Sequence, residues 1–326
     1  MWNKNTVIYQ IFVDRFNGFS NINDTNPDFM GGNLDGIISK LDYLVQLGIN
    51  CIWLTPIFNT TSYHGYHVTN YEAIDSQFGS IESLQHLIKI AHEKNIKILL
   101  DFVPNHCSIY HPFFVDAIQN KNSKYINWFH FTDWPNKYLS FLSYKEIPKL
   151  NLENQETAEY IITVAKKWLK LGIDGYRIDH AIGISKDFWR NFYKIIKADF
   201  PNCLLIAEIW VDGIEKKDFE TIKLPSPDVL TKKGISQKKI QKAYRNCFDG
   251  IIDFYFQKNL INQLLNKTID EAFIKKTHEY LDSYTHNCSP ILFLDNHDMN
   301  RISYTLKTTN KKLKQHFHLY YHYPFR

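Results

Sequence analysis

GYRIDH, residues 175–180, is a short strand-like run that ends on an acid, and it lies between two stretches of helical period, 157–171 and 187–199. Apolar residues alternate in the run and recur every three to four positions on either side. That arrangement is a βα unit, with its carboxylate placed where a buried strand would emerge into solvent. Two further runs have the same character downstream: LLIAEIW, residues 204–210, carrying Glu208, and FLDNHD, residues 293–298, carrying Asp298.

Working outward, strand-like runs alternate with amphipathic patterns almost from the first residue to about 300. VIYQIF (7–12) reads as strand, 37–48 as a helix closed by glycine, and CIWL (51–54) as strand. A polar loop with YHGYH, a helix over 81–94 and the strand IKILLDFV (96–103) follow. After GYRIDH come strands over 204–206 and 248–256, a helix over 270–284 and a seventh strand, ILFL, over 291–294.

Seven strands in βα order with right-handed crossovers predict a parallel sheet in an α/β protein, and 326 residues suit a (β/α)8 TIM-type barrel. The period breaks over 105–150, an aromatic segment with Pro and Asn, which reads as a small inserted subdomain after the third strand. The expected division is therefore 1–104 and 151–326 for the barrel and 105–150 for the insert. Closing the sheet into a barrel needs an eighth strand, and only about 25 residues follow Arg301.

A net charge of +4 from 38 basic and 34 acidic residues is too balanced for a nucleic-acid surface, so no nucleic-acid partner is expected. The lysine-rich stretch 232–242 reads as a solvated helix face. No apolar run reaches membrane-span length, and MWNKNTVIYQIFVDRF lacks the features of a signal peptide. The five cysteines, Cys51, Cys107, Cys203, Cys247 and Cys288, have no metal-like spacing and read as reduced and buried. A cytoplasmic location without membrane partners is the expectation, and nothing here sets the oligomeric state.

DFVPNH (101–106), GYRIDH, AEIW (207–210) and FLDNHD now stand in a fixed order, together with IPKLN (147–151), YHGY and IYQIFVDRF. Over residues 7–301 the chain strongly resembles the α-amylase family of glycoside hydrolases. The resemblance implies a (β/α)8 barrel completed after FLDNHD and usually followed by a β-sandwich domain, so this chain is expected to be truncated before or at the eighth strand, with no C-terminal β-sandwich domain. A lone Asp after a strand is commonly a turn former or helix N-cap. In register with Gly175, Arg177, Glu208 and Asp298, Asp179 reads instead as a catalytic acid.

The chemistry needs a nucleophilic carboxylate and a carboxylic acid about 5–5.5 Å apart on either side of the glycosidic bond. Asp179 is read as the nucleophile, kept ionised by Arg177 on the same strand face, and Glu208 as the general acid/base, with Ile209 and Trp210 helping to make its niche less polar. The resemblance implies that Asp298 is the third carboxylate, that His106 and His297 bind sugar, and that Tyr66 is an aromatic platform. Asp101 is expected to support Arg177, while His64, His180 and Arg301 stay balanced between substrate contact and structure.

Some relatives hold calcium near the first loop, where Asn17, Asn23, Asp24 and Asn33 offer oxygens, but amides have replaced acids there. Asn105 fits the family's other calcium site. Four residues after Asp179, however, Gly183 stands where many relatives have histidine or asparagine. No metal site and no required cofactor are expected, although structural calcium stays open. The expected activity is retaining hydrolysis of α-1,4-glucosidic bonds in malto-oligosaccharides, starch fragments or cyclodextrins. Its alternatives are an α-glucan transglycosylase and a catalytically impaired, truncated remnant or binding protein.

Overall fold

The computed structural model describes residues 5–18, 28–224, 226–231, 234–284 and 287–307. Seven parallel strands form one sheet in sequence order: β1 Ile8–Ile11, β2 Cys51–Leu54, β3 Lys97–Phe102, β4 Gly175–Ile178, β5 Leu204–Ala207, β6 Gly250–Ile252 and β7 Ser289–Ile291. The main helices between them are α1 Ile81–Glu93, α2 Pro112–Gln119, α3 Gln155–Leu171, α4 Lys186–Asp199, α5 Gln237–Tyr244, α6 Phe254–Asn266 and α7 Glu271–Asp282. The expectation of a barrel truncated before or at its eighth strand concerns the tail beyond residue 307, which lies outside the described residues.

Alternation along each strand sorts the side chains into two apolar clusters. Ile52, Leu54, Ile98, Leu100, Tyr176, Ile178, Leu205 and Ala207 face the helices in the larger one. Cys51, Trp53, Leu99, Leu204, Ile206 and Ile252 face the other way, with Ile8 and Ile291 packed on them. The first and seventh strands of a flat sheet would lie about 29 Å apart, six spacings of ~4.8 Å. His297, six residues beyond the end of β7, lies 2.5 Å from Gln10 on β1, so the sheet is rolled and this second cluster is its interior.

Local chemistry sets the helix ends. Ser80, Asn154 and Ser185 accept from the backbone N–H groups of Ser83, Thr157 and Phe188 at the starts of α1, α3 and α4, and Gly172 ends α3 at φ 115°. The expected sixth strand is shorter than read. Asp253 accepts from Phe256 N–H, which starts α6 at Phe254, so the aromatic run FYF is helical and strand β6 stops at Ile252. The seventh strand lies earlier than ILFL, ending at Ile291. The helix read over 37–48 is two short pieces, Leu34–Ile38 and Leu41–Gln46.

Residues 105–150 have structure of their own: α2, and hairpins pairing Phe131–Asp133 with Lys137–Tyr138 and Ser140–Phe141 with Tyr144–Pro148. Their aromatic side chains pack together and onto α3, where Phe113 and Trp128 meet Tyr160. Bridges from Lys149 to His106 and from Leu150 to Phe129 bring the segment back to the end of β3.

Gly175 opens β4 at φ 152°, and a β-carbon there would lie 2.0 Å from the carbonyl oxygen of Leu204 on β5. No side chain fits without parting the two strands that carry Asp179 and Glu208. Gly175→Ala is expected to lower stability by at least about 1–3 kcal/mol, the usual cost of overpacking plus strain. Urea denaturation measures it, and an unchanged midpoint would refute the close approach.

Candidate active site

Strand pairing places the acids. Asp179 N–H donates to Phe102 O and Glu208 N–H to Ile178 O, continuing the β3–β4 and β4–β5 ladders one residue beyond the strands. Arg177 pairs with Asp101 across β3 and β4, and both point inward with Leu99 and Gly175 below them. Asp179 and Glu208 are the next inward positions on their strands.

Arg177 is 1% exposed and joins these acids. Its Nη1 donates to Asp101 Oδ1 and to Asp179 Oδ1, both at 2.8 Å, and its Nη2 donates to Glu208 Oε1 at 2.5 Å. Glu208 Oε2 accepts from His180 N–H at 2.9 Å, which His180 reaches in a left-handed conformation at φ 40°. Trp53 Nε1 and the Tyr66 hydroxyl donate to Asp101 Oδ2 at 3.0 and 2.8 Å.

Asp298 joins through its neighbour. His297 Nε2 lies 3.4 Å from Asp298 Oδ2 and 2.6 Å from the Tyr66 hydroxyl, and its Nδ1 lies 2.5 Å from Gln10 Nε2. The Tyr66 proton goes to Asp101 and Gln10 can only donate here, which assigns the His297 proton to Nε2. The loop after β7 is thereby tied to β1 and to the turn after β2.

Burial raises the pKa of every acid in the cluster. Asp179 is pushed up to about 7 by burial, with Arg177 opposing and the Asp101 and Asp298 charges adding to the rise. Asp101 is raised to about 6 by burial against Arg177, Asp298 to about 6 by burial and the Glu208 charge, and Glu208 upward by burial. For Arg177 burial acts downward, but the Asp101 and Glu208 charges outweigh it and hold the guanidinium well above its ordinary range. Burial brings His106 and His297 down to about 3 and His180 well below its usual value, so all three are neutral.

The expected contrast between an ionised Asp179 and a protonated Glu208 is not drawn by Arg177, which reaches both. Trp210 stacks on Phe254, with centroids 5.0 Å apart, and belongs to the interior cluster. Three of the four carboxyls share one guanidinium, and the charge of each of the four raises the pKa of at least one other.

Most residues singled out in the sequence meet here. His106 and His180 are buried and both pack against Phe141, at ring distances of 5.0 and 4.6 Å, and the Nε2 atom of each has no partner among the described residues. His64 Nδ1 accepts from Tyr66 N–H, so it shapes the turn that holds Tyr66. Arg301, with a side chain 75% exposed, pairs with Asp295 at 2.7 Å rather than with the cluster.

Sequence reading missed Trp53, Gln10 and Phe141. Trp53 and Gln10 occupy inward positions of β2 and β1, and alternation carried one residue further would have marked them. Phe141 lies in the segment without period, where no such signal exists.

Of the calcium candidates, Asn17 Nδ2 donates to Gly36 O and Ser39 Oγ, and Asn33 Oδ1 accepts from Gly36 N–H. Asn23 and Asp24 lie outside the described residues. Asn105 Oδ1 accepts from Lys149 Nζ. No group of three or more His, Cys, Asp or Glu among the described residues is placed to hold a metal. No helix among them is long and apolar enough to cross a membrane.

The model of the α-amylase catalytic domain matches residues 10–323. Alpha-amylase 2 of Dictyoglomus thermophilum is 37% identical over 318 residues, 96% of this chain and 51% of that protein. A cyclomaltodextrinase of Thermoanaerobacter pseudethanolicus is 40% identical over 297 residues, 84% of this chain and 48% of that one. The crystal structure of the maltogenic amylase from S. marinus superposes with a TM-score of 0.77 at 28% identity, over 96% of this chain and 48% of its own. The chain thus spans about half the length of these relatives. With the catalytic-domain model running through nearly all its residues, and its acids gathered at the strand ends of a rolled parallel sheet, this chain belongs to the α-amylase family.

Proposed function

We propose that this chain carries the catalytic centre of a retaining glycoside hydrolase that cleaves α-1,4-glucosidic bonds in malto-oligosaccharides, starch fragments or cyclodextrins. The observation that carries the reading is the sharing of Arg177 by Asp179 and Glu208. The gap between the two carboxylates is no wider than one guanidinium and two hydrogen bonds. That bound admits both the about 5–5.5 Å of a covalent mechanism and the shorter end of the about 6.5–9.5 Å of an inverting pair, so the retaining course rests on the α-amylase family membership and the shared guanidinium places both acids at one bond.

In the proposed reaction the Asp179 carboxylate attacks the anomeric carbon while Glu208, in its acid form, protonates the departing glycosidic oxygen. The bond to the leaving sugar breaks as the bond to Asp179 forms. Glu208, now a carboxylate, takes a proton from water, whose oxygen displaces Asp179 and restores the original anomeric configuration. Asp298 faces the ring where positive charge develops.

The Nε2 atoms of neutral His106 and His180, buried and unpartnered, suit sugar hydroxyls. The hydroxyl of Tyr66 is committed to Asp101 and His297, which leaves its ring as the surface for substrate. The sharing of Arg177 also makes Asp101 a positioning residue. No metal or other cofactor enters this chemistry.

The relatives' names, an amylase and a cyclomaltodextrinase, support hydrolysis over transglycosylation or a non-catalytic remnant. Five free, buried cysteines support work in a reducing compartment, the cytoplasm.

With maltoheptaose as substrate, Asp179→Asn is expected to abolish turnover, and Glu208→Gln to reduce it by about 10²–10⁴-fold. Wild-type activity equal to that of Asp179→Asn would defeat the enzyme reading. Proton NMR of the first product should show the α anomer, and a β anomer would mean inversion.

The pH profile tests the electrostatics. Asp179 must be ionised to attack, and the Asp101 charge raises its pKa. Asp101→Asn removes that charge, so the acidic limb of kcat/KM should move to lower pH, whatever the loss in rate. A limb that stays in place or moves upward would show that Asp179 does not set it.

A further inference from the structure

Lys149 follows the returning strand of the insert and is 1% exposed, yet its partners are not acids. Its Nζ donates to Asn105 Oδ1 at 3.0 Å, to Thr221 O at 2.9 Å and to Gly183 O. An ammonium has three N–H bonds and nothing to accept with, and here each bond meets one oxygen. The oxygens come from three separate segments: the loop after β3, the turn that follows Asp179, and the stretch after β5. A fourth segment, the insert, supplies the lysine.

Amide and carbonyl oxygens converging from several loops are also the donor set of a hard divalent cation, and the family resemblance places calcium at Asn105 in many relatives. The residues present do not fit that ion. All three oxygens are neutral, so a doubly charged ion would lack the carboxylates that normally balance it, and Lys149 already occupies their focus. Gly183 belongs to the same arrangement, because a β-carbon there would fall 2.0 Å from Asn105 Oδ1. The histidine or asparagine that many relatives carry at this position is therefore excluded while Asn105 holds its place.

We propose that Lys149 is the resident cation of this junction, its ammonium replacing a bound metal between the insert and the barrel. Burial and the Lys223 charge lower its pKa to about 7 and Glu153 opposes them, while three acceptors with no competing donor favour the protonated form. The oxygens it gathers adjoin His106 and His180, so a built-in cation keeps this side of the acid cluster assembled without a metal supply. The inference concerns stability and stands whether or not the chain turns over substrate.

Thermal unfolding of the 326-residue chain tests it. Melting is expected to be the same in excess EGTA and in millimolar calcium chloride. Lys149→Met, which keeps an unbranched apolar stem and removes the three donors, should melt roughly 10 °C lower. A loss of stability in EGTA that disappears in Asn105→Ala would place a metal at these oxygens and overturn the assignment. A Lys149→Met chain that melts with the wild type would overturn it as well. If Lys149→Met does not fold, the comparison of wild type with Asn105→Ala in EGTA still decides.

Discussion

The guanidinium of Arg177 is the interaction on which the site depends. It is buried at the strand ends and holds Asp101, Asp179 and Glu208 through three hydrogen bonds. Carboxylates taken out of water repel one another and their neighbours, and only a cation of fixed shape among them lets three sit within hydrogen-bond distance of one group. A buried ion pair that loses a partner typically costs about 3–5 kcal/mol, because the remaining charge stays behind without compensation. Trp53 and Tyr66 face the same guanidinium, with its carbon 5.0 and 5.9 Å from their ring centres, and both also donate to Asp101. Aromatic faces, acids and cation therefore fix each other's positions.

Arg177 reaches these groups because of the rolled sheet. The inward row of Trp53, Leu99, Gly175 and Leu204 fills the interior beneath the polar layer. Gly175 lets β4 and β5 approach so closely that a β-carbon would not fit, which keeps Asp179 and Glu208 adjacent. At the far end of the sheet, Gln10 on β1 meets His297 beyond β7, bringing Asp298 toward acids carried on strands three and two places away.

Much of this was legible because it follows from short-range alternation. Period two puts Arg177 and Asp179 on one face, and the order of βα units puts Glu208 on the neighbouring strand. What could not be read depends on chain segments meeting across the molecule. Nothing in residues 141–151 says that Lys149 will find oxygens from Asn105, Gly183 and Thr221, or that Phe141 will pack against two histidines. Arg177 does not draw the contrast expected between Asp179 and Glu208 for a related reason: it was expected to partner Asp179 and Asp101, whereas a guanidinium has five donors in a fork and here reaches Glu208 beyond β5 as well. The boundary of β6 was misjudged because aromatic residues suit strands and helices alike, and the cap at Asp253 decided between them.

The cluster is short of positive charge. Four carboxyls, Asp101, Asp179, Glu208 and Asp298, face one guanidinium, and three of them titrate at about 6 to 7. In the free protein that imbalance is relieved by holding protons. A glycosyl transition state carries positive charge at the anomeric carbon and ring oxygen, which is the charge this cluster lacks. The proposed substrate would therefore be bound more tightly as it approaches that state than in its ground state, the condition under which binding lowers a barrier. A second buried guanidinium among these acids would make their ionised forms more comfortable, and would remove the imbalance on which that preference depends.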